Sequence, residues 1–187
     1  MAYYPDLKTL FIHIPKTAGT SIRGVFCEKS RMVGAVHDTI KSSIVRWGDG
    51  ICDNNFSFAI VRNPWDRIVS FYGMYCTRFG YEKDFKTFLR SGLKGLTAQY
   101  FFKNQLYWLK DDKNKIRVRK IYLFEELDSC WKDICKNIDI DIKLIHLHKS
   151  DYNKPSYHYY YDNTTRKIVH QWYQDDIDYF DFKFDNS

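Results

Sequence analysis

The sequence predicts an α/β fold whose β-sheet is mainly parallel. Residues 9–14 and 56–61 are mostly apolar or small, which is typical of strands that are covered on both faces. Each stretch is followed by a short polar loop and then by apolar residues with helical spacing. A third strand is predicted over residues 118–124, and a helix over residues 125–137. Repeated strand–loop–helix units favour a parallel sheet flanked by helices.

The loop after the first strand carries a dense group of polar residues. Residues 15–21 hold one lysine, one glycine and three hydroxyl side chains. The helix that follows is indicated by Ile22, Val25 and Phe26. Such a loop points main-chain N–H groups and the positive end of a helix dipole into one small volume, which suits phosphate or sulfate. We predict that it holds an anionic nucleotide, although an ordinary strand–turn–helix has the same local pattern.

A second junction between a strand and a helix follows residue 61. Asn63 is a good helix N-cap, and Pro64 suits the first helical position. The helix is indicated by apolar residues at i, i+3, i+4 and i+7: Trp65, Ile68, Val69 and Tyr72. Lys16 and Arg62 each follow a strand directly. Because parallel sheets bind ligands at the carboxyl ends of their strands, we expect these two cations to converge on one ligand.

Further helices complete the predicted fold. A short helix is expected to run through Trp47, others near residues 84–90 and 97–109, and a last one after Asp162. The last helix is indicated by one apolar face: Val169, Tyr173, Ile177 and Phe180. We find no internal repeat, linker or domain boundary, and we therefore predict a single domain over residues 1–187.

Composition and charge restrict the function and the setting. The 29 Lys and Arg against 23 Asp and Glu give a formal net charge of +6, which fits an anionic ligand but is too small to establish nucleic acid binding. The five cysteines form no Cys-x-x-Cys pair, and we expect reduced thiols. No apolar run approaches the roughly 20 residues of a membrane span, and residues 1–8 lack the features of a signal peptide. These observations predict a soluble cytoplasmic protein without a nucleic acid partner.

The polar loop does not match the Walker A motif of ATP- and GTP-binding proteins. That motif needs Gly-x-x-x-x-Gly-Lys-Ser/Thr, whereas here Lys16 precedes Gly19 and no glycine holds the first position. The run His-Ile-Pro-Lys-Thr-Ala-Gly-Thr-Ser closely resembles the phosphosulfate loop of sulfotransferases that use 3'-phosphoadenosine 5'-phosphosulfate (PAPS). The run Phe-Ala-Ile-Val-Arg-Asn-Pro-Trp-Asp-Arg, with Arg62 at a strand end and Ser70 eight residues later, is similar to that family's 3'-phosphate motif. The resemblance covers most of the chain and is strongest to the branch that sulfates carbohydrates.

This resemblance implies a P-loop fold of the nucleotide-hydrolase type, PAPS as the sulfuryl donor and adenosine 3',5'-bisphosphate as a product. It implies in-line displacement by an acceptor hydroxyl, on a carbohydrate, without a metal ion. Arg62 and Ser70 are the implied contacts of the 3'-phosphate. The residues implied in cofactor binding are Lys16, Thr17, Ala18, Gly19, Thr20, Ser21, Arg62 and Ser70.

Two residues are predicted to carry catalysis. Sulfuryl transfer depends on positioning and charge neutralisation, and Lys16 can stabilise the charge that develops on the leaving phosphate oxygen. In related sulfotransferases a His or Glu between the two motifs removes the acceptor proton, and His37 is the only His in that interval. Its ordinary pKa suits proton transfer near neutrality. The alternative for His37 is a surface or helix-capping role.

Other histidines and one arginine are expected to be structural. His13 is predicted to pack or to brace the loop, and Arg67 to brace the second motif through a salt bridge. His146 and His148 have no acid or cysteine nearby that would complete a metal site.

Three further stretches are weaker candidates for binding. Residues 157–161 are mostly tyrosine and are expected to be half core and half surface. The basic stretch 110–120 is expected to be a solvated face. The pairs Lys149-Ser150 and Arg166-Lys167 are further candidates to contact the cofactor or the acceptor.

Two other functions are compatible with the sequence. One is a P-loop kinase or nucleotide hydrolase, against which the position of Lys16 counts. The other is a module that binds a nucleotide or nucleic acid without turnover. The sequence favours the sulfotransferase because its two motifs occur in the expected order.

Overall fold

The computed structural model describes residues 2–92, 99–144 and 155–184. Their contacts divide the chain into two compact units. Unit 1 comprises Met1–Val61 and Gln105–Lys149, and unit 2 comprises Arg62–Asn104 and Ser150–Ser187. Unit 1 contains the sheet, and the described part of unit 2 is helical.

The strands that are predicted over residues 9–14 and 56–61 are each followed by a loop and an α-helix, as expected. In chain order the strands are β1 Ala2–Tyr4, β2 Thr9–Ile12, β3 Phe56–Val61 and β4 Lys120–Leu123. The α-helices are α1 Gly19–Cys27, α2 Ile40–Trp47, α3 Pro64–Phe79, α4 Phe85–Thr87, α5 Gln105–Leu109, α6 Leu127–Asn137, α7 Asn163–Trp172 and α8 Gln174–Phe180.

The sheet of unit 1 has the strand order β1-β2-β3-β4. β1 is antiparallel to β2, whereas β2 and β3 are parallel, as are β3 and β4. Ile12 lies opposite Ala59, and Val61 opposite Leu123. This arrangement confirms the predicted α/β fold with a mainly parallel sheet. Because β2 and β3 are parallel neighbours, the chain leaves both strands at the same edge of the sheet.

Burial explains which strands the sequence predicts well. All four residues of β2 are buried, as are five of the six in β3. The first strand ends at Ile12, earlier than predicted, because the N–H of Ile14 turns back to the Ile12 carbonyl at 3.1 Å. β1 is not predicted, since its three residues are too few for a pattern. It forms by pairing with β2, where Ala2 lies opposite Phe11.

Helices α1 and α6 contribute to the core of unit 1 through a buried cluster. Its large members are Phe11, Ile22, Phe26, Phe58, Trp131 and Ile134. The rings of Phe11 and Phe58 stack with centroids 4.9 Å apart, and those of Phe26 and Trp131 are 5.9 Å apart. Truncating a buried aromatic residue to Ala costs about 3–5 kcal/mol. The cluster therefore holds α1, and with it the preceding loop, on the sheet.

In unit 2, α3 begins and ends as its sequence predicts. The Asn63 side chain accepts the N–H of Trp65 at 3.1 Å, which confirms the predicted N-cap, and Pro64 is the first helical residue. Trp65 is buried and is fixed by a bond from its Nε1 to the Arg166 carbonyl at 3.1 Å. The helix stops at Gly80, whose φ of 63° is a conformation that glycine adopts without steric cost.

Two predicted helices differ from the structure. The helix after Asp162 is not continuous, because Tyr173, with φ −117° and ψ 25°, separates α7 from α8. The single helix predicted over 97–109 is also wrong. Its described part holds a 3₁₀ turn at Tyr100–Phe102 and then α5, because Lys103 is extended, with ψ 153°.

The five cysteines are free thiols in the structure: Cys52, Cys130 and Cys135 are buried, Cys76 is half-buried and Cys27 is exposed. Within the described ranges, no helix combines the length and the apolar character needed to cross a bilayer.

Candidate functional site

The loop between β2 and α1 has an uncommon backbone. Lys16 and Ala18 both adopt left-handed conformations, with φ 70° and 65°. Neither is glycine, so each costs on the order of 1–3 kcal/mol, and such residues cluster at ligand clamps. The N–H groups of Gly19 and Thr20, the first two residues of α1, have no acceptor within the helix by geometry. The loop and the helix start are thus suited to an anion.

The predicted contact residues of this loop differ from one another in how accessible their side chains are. Thr17 is fully buried, and its hydroxyl donates to the Ile14 carbonyl at 2.8 Å, so this side chain stabilises the loop itself. Ser21 is buried, and its N–H donates to the Ala18 carbonyl at 3.0 Å. Thr20 is exposed and Lys16 is half-buried. The hydroxyl of Thr20 and the Lys16 ammonium are therefore the side-chain groups of the loop that are most accessible.

Gly19 is required because the ring of His13 occupies the space beside it. A Cβ on Gly19 would lie 1.7 Å from Nε2 of His13, which no side chain can tolerate. His13 is only 5% exposed, and its ring stacks on Phe11 with an interplanar angle of 11°. His13 is therefore packed against the start of α1, as predicted for a bracing residue.

His37 lies in the turn before α2 and is tied to the loop. Its Nδ1 is 3.0 Å from the main-chain carbonyl oxygen of His13. A carbonyl can only accept, so Nδ1 carries the hydrogen, and the lone pair of the neutral ring is on Nε2. The His37 ring lies 4.3 Å from the His13 ring and 6.2 Å from the Trp108 ring. Unit 1 therefore places an oriented imidazole beside the polar loop.

Both histidines are neutral near pH 7. Burial lowers the pKa of His37, although the bond to the His13 carbonyl opposes this shift. Burial lowers the pKa of His13 further, and His37 and Arg23 act in the same direction. Of the two, only His37 is partly accessible. It is the one suited to accept a proton from a bound molecule.

Unit 2 carries the second predicted motif. The Nε of Arg62 donates to Oδ2 of Asp66 at 2.7 Å. Asp66 and Ser70 are four residues apart on α3, so their side chains share one face of the helix. Ser70 is half-buried. Arg62, Asp66 and Ser70 therefore follow one another along this face.

Arg67 braces α3, as predicted, and the partners seen for its guanidinium are main-chain carbonyls. Its side chain is fully buried, and its guanidinium donates to the carbonyls of Phe101 at 2.9 Å and Lys103 at 3.2 Å. The group also lies 5.8 Å from the centre of the Tyr173 ring. Arg67 thus fixes the segment before α5 to α3 and is not accessible to a ligand.

The aromatic stretch that begins at residue 157 is partly buried, as predicted. Tyr157–Tyr160 forms a 3₁₀ helix, in which Tyr159 is 81% exposed. Arg166 lines a cavity next to this helix, and its guanidinium lies 4.6 Å from the Phe184 ring centre. The weaker candidates His146, His148, Lys149 and Ser150 lie outside the described residues.

In the basic stretch 110–120, two of the six basic residues form ion pairs that the structure describes. Arg117 contacts Asp49 at 2.7 Å, and Lys120 contacts Asp133 at 2.6 Å. In the part of the chain that the structure describes, no three His, Cys, Asp or Glu side chains are grouped as a metal site requires.

Among the features of the site that were not predicted from the sequence, two differ in whether the sequence holds a signal for them. The contact between Arg62 and Asp66 could have been predicted, because an Arg and an Asp four residues apart across the start of a helix can pair. The packing of the His13 ring against Gly19 has no such signal in the sequence, since it depends on how the loop folds back.

Of the comparisons with known proteins, the one with family models matches nearly the whole chain. No curated protein and no solved structure matches it significantly. The model of the Sulfotransferase family matches residues 1–183.

Proposed function

The chain belongs to the sulfotransferase family, and we propose that it transfers a sulfuryl group from PAPS to a hydroxyl of a carbohydrate acceptor. One observation in unit 1 carries the proposal: a strained loop before a helix start is hydrogen-bonded, through the His13 carbonyl, to an oriented neutral imidazole. The first element suits a sulfated phosphate and the second suits an acceptor proton. We propose further that residues 1–187 act as a single domain.

The loop residues would hold the 5'-phosphosulfate. Lys16 would supply one positive charge, and the main-chain N–H groups of Thr17, Ala18, Gly19 and Thr20 would supply hydrogen bonds. The left-handed Lys16 and Ala18 and the exposed Thr20 hydroxyl support this assignment. The buried Ser21 hydroxyl is a further proposed contact of the 5'-phosphosulfate. The main-chain N–H of Ser21, in contrast, already donates to the Ala18 carbonyl.

Arg62 and Ser70 would hold the 3'-phosphate of the same nucleotide. The strands that precede Lys16 and Arg62 are parallel neighbours, so the chain leaves both at one edge of the sheet. A guanidinium binds phosphate oxygens with a planar fork of N–H donors. The contact between Arg62 Nε and Asp66 supports this role because it orients the fork.

The reaction would be a single displacement at sulfur. Nε2 of His37 accepts the hydroxyl proton while the acceptor oxygen forms a bond to sulfur. The bond between sulfur and the 5'-phosphate oxygen breaks, and its electron pair stays on that oxygen, where Lys16 stabilises the charge. The products are a sulfate ester and adenosine 3',5'-bisphosphate. The proposed carbohydrate acceptor rests on the likeness of the two motifs to the carbohydrate branch.

Calorimetric titration of adenosine 3',5'-bisphosphate tests the nucleotide site. We expect Lys16→Ala and Arg62→Ala each to weaken binding at least tenfold, whereas Lys113→Ala, which removes an exposed lysine from a turn, leaves it unchanged. Failure of the unmodified protein to bind overturns the proposal. Binding that neither site substitution changes shows that the nucleotide occupies a different site.

Transfer of labelled sulfate from PAPS to a panel of saccharides tests the reaction. We expect His37→Ala to keep nucleotide binding and to lose turnover by about 10²–10⁴-fold, the range for loss of a general base. Full turnover in this variant removes His37 from the mechanism. Preference for magnesium–ATP over the bisphosphate would favour a kinase or hydrolase. Nucleotide binding without transfer to any acceptor would favour a binding module.

A further inference from the structure

The ring and the carbonyl of His13 act on two different parts of the site. The ring fills the space beside Gly19, and the carbonyl accepts the Nδ1–H of His37. We propose that His13 is a positioning residue: its seated ring fixes its own carbonyl, and that carbonyl fixes the tautomer of His37. The structural part of this proposal is independent of the reaction, and only its catalytic consequence rests on the proposed function.

The His13 ring is held on three sides. Phe11 stacks on it with centroids 5.5 Å apart, the Gly19 main chain lies against Nε2, and the His37 ring is 4.3 Å away. Only 5% of the residue is exposed. The Nδ1 of this ring is buried and has no hydrogen-bond partner within the described ranges. The stacking on Phe11 and the close approach of Gly19 therefore hold the ring without help from its Nδ1.

The ring and the carbonyl of His13 belong to one tight turn of the chain. His13 directly follows β2, whose last residue, Ile12, is held opposite Ala59 in the sheet. The chain then turns, as the bond from Ile14 N–H to the Ile12 carbonyl shows. His13 is the central residue of this turn, and the Ile14 N–H and the His13 carbonyl belong to one planar peptide. The main-chain bond and the packed ring therefore hold the same turn, and we propose that loss of the ring loosens the turn and with it the direction of the carbonyl.

The tautomer matters because only one ring nitrogen of a neutral histidine can accept a proton. A histidine ring free in water favours hydrogen on Nε2. The bond from Nδ1 to the His13 carbonyl reverses this preference in His37 and leaves the lone pair on Nε2. Loss of the carbonyl would therefore move the lone pair to the nitrogen that faces the loop main chain.

His13 itself is not suited to accept the proton. Its Nε2 lies against the Gly19 main chain and its Nδ1 is buried. The low pKa that burial gives to His13 is consistent with a ring that stays neutral. A phenyl ring has a similar flat shape and no nitrogen, so Phe can test whether shape alone is sufficient.

Long-range ¹H–¹⁵N NMR of the histidine side chains above pH 8 tests the proposal on the unmodified protein. We expect His37 to carry its hydrogen on Nδ1. Hydrogen on Nε2 of His37 in this spectrum would overturn the proposal without any variant.

Two substitutions at position 13 separate shape from chemistry. We expect His13→Ala to shift His37 toward hydrogen on Nε2 and to lower kcat at least tenfold, while adenosine 3',5'-bisphosphate affinity changes less than threefold. His13→Phe should restore hydrogen on Nδ1 and recover most of the lost kcat. If the Phe variant behaves like the Ala variant, or if His13→Ala leaves the tautomer unchanged, the positioning role is wrong.

Gly19→Ala provides an independent test if His13→Ala fails to fold. The added methyl group would collide with the His13 ring and displace it from its position beside Gly19, while the His13 side chain itself is kept. We expect the same shift of the His37 tautomer, and an unchanged spectrum would contradict the proposal. If the unmodified protein transfers no sulfate but shows the expected tautomer and shift, the proposed function fails while the positioning role stands.

Discussion

The Nε of Arg62 donates a hydrogen bond to Oδ2 of Asp66 over 2.7 Å, across the first turn of α3. The contact thus fixes the direction of the Arg62 guanidinium, whereas an arginine side chain at a strand end could otherwise adopt many rotamers. The contact uses one of the five N–H donors of the guanidinium. Asp66 is therefore placed to orient the group that we assign to the 3'-phosphate.

Removal of Asp66 should weaken nucleotide binding. We expect Asp66→Ala to lower the affinity for adenosine 3',5'-bisphosphate about tenfold, or ~1.4 kcal/mol, because Arg62 must then be ordered when the ligand binds. Asp66→Asn keeps an oxygen acceptor and should lose less. Calorimetry measures both variants, with Asp128→Ala on α6 as a charge-matched control. Tighter binding in the Ala variant would mean that the carboxylate competes with the phosphate.

Turnover should persist below the pH at which an ordinary histidine is protonated. Burial lowers the pKa of His37 from its usual value of about 6.5, with a further contribution from Arg23. A base is active when it is deprotonated, so the rate should fall only as the pH drops through this lowered pKa. The profile of kcat against pH at saturating PAPS gives the midpoint, which we expect below about 6.5.

The same profile in His37→Gln serves as the control for that midpoint. The acidic decline should disappear from the residual rate if it belongs to His37. A midpoint above the usual histidine value in the unmodified protein would contradict the burial that lowers the pKa.

The two roles of Asn63 can be separated by substitution. Its Oδ1 caps α3 by accepting the Trp65 N–H, and its Nδ2 donates to the Lys183 carbonyl at 2.8 Å. We expect Asn63→Ala to lower the free energy of unfolding by about 2 kcal/mol, from the lost cap and one lost bond. Asn63→Asp keeps the cap acceptor and should cost less. Urea denaturation measures the difference, and equal losses would mean that the bond to Lys183 dominates.

Replacement of Arg67 should destabilise the protein without a direct effect on ligand contacts. Burial lowers the pKa of this guanidinium, while Tyr173 and Asp176 oppose the shift. Arg67→Met would leave two carbonyls without donors and the buried Asp176 carboxylate without its neighbouring cation. We expect a loss of about 3 kcal/mol in unfolding free energy.

Two variants control the experiment on Arg67. Arg67→Lys keeps the charge and should lose less, and Arg67→Met combined with Asp176→Asn should recover part of the loss. If Arg67→Met unfolds at the same urea concentration as the unmodified protein, the buried network contributes no net stability.

The sequence is most informative where local signals and burial agree. β3 and α3 are predicted because a continuous apolar run meets an Asn-Pro helix start, and both signals are local. β1 escapes prediction because three residues carry no periodicity and the strand depends on its pairing with β2. The break at Tyr173 escapes for a related reason, since its apolar spacing continues through a residue that is not helical.

The site shows the same division between local and long-range signals. The loop residues and His37 are identified from motif order and position in the sequence. The left-handed Lys16 and Ala18 are not, because neither residue type prefers that conformation. Gly19 packs against the His13 ring, and the His13 carbonyl accepts a hydrogen bond from His37, which lies 24 positions further along the chain. Packing of this kind appears only when the chain has folded.

The bond between Asn63 and Lys183 also bears on the order in which the protein is made. The two residues are 120 positions apart in the chain. A ribosome that adds roughly 5–20 residues per second needs about 6–24 s to cover that interval. The side-chain amide of Asn63 is therefore synthesised well before the Lys183 carbonyl that accepts its hydrogen bond. The beginning of α3 is completed late in translation, and a nascent chain stalled before Lys183 would keep this helix start open to chaperones and proteases.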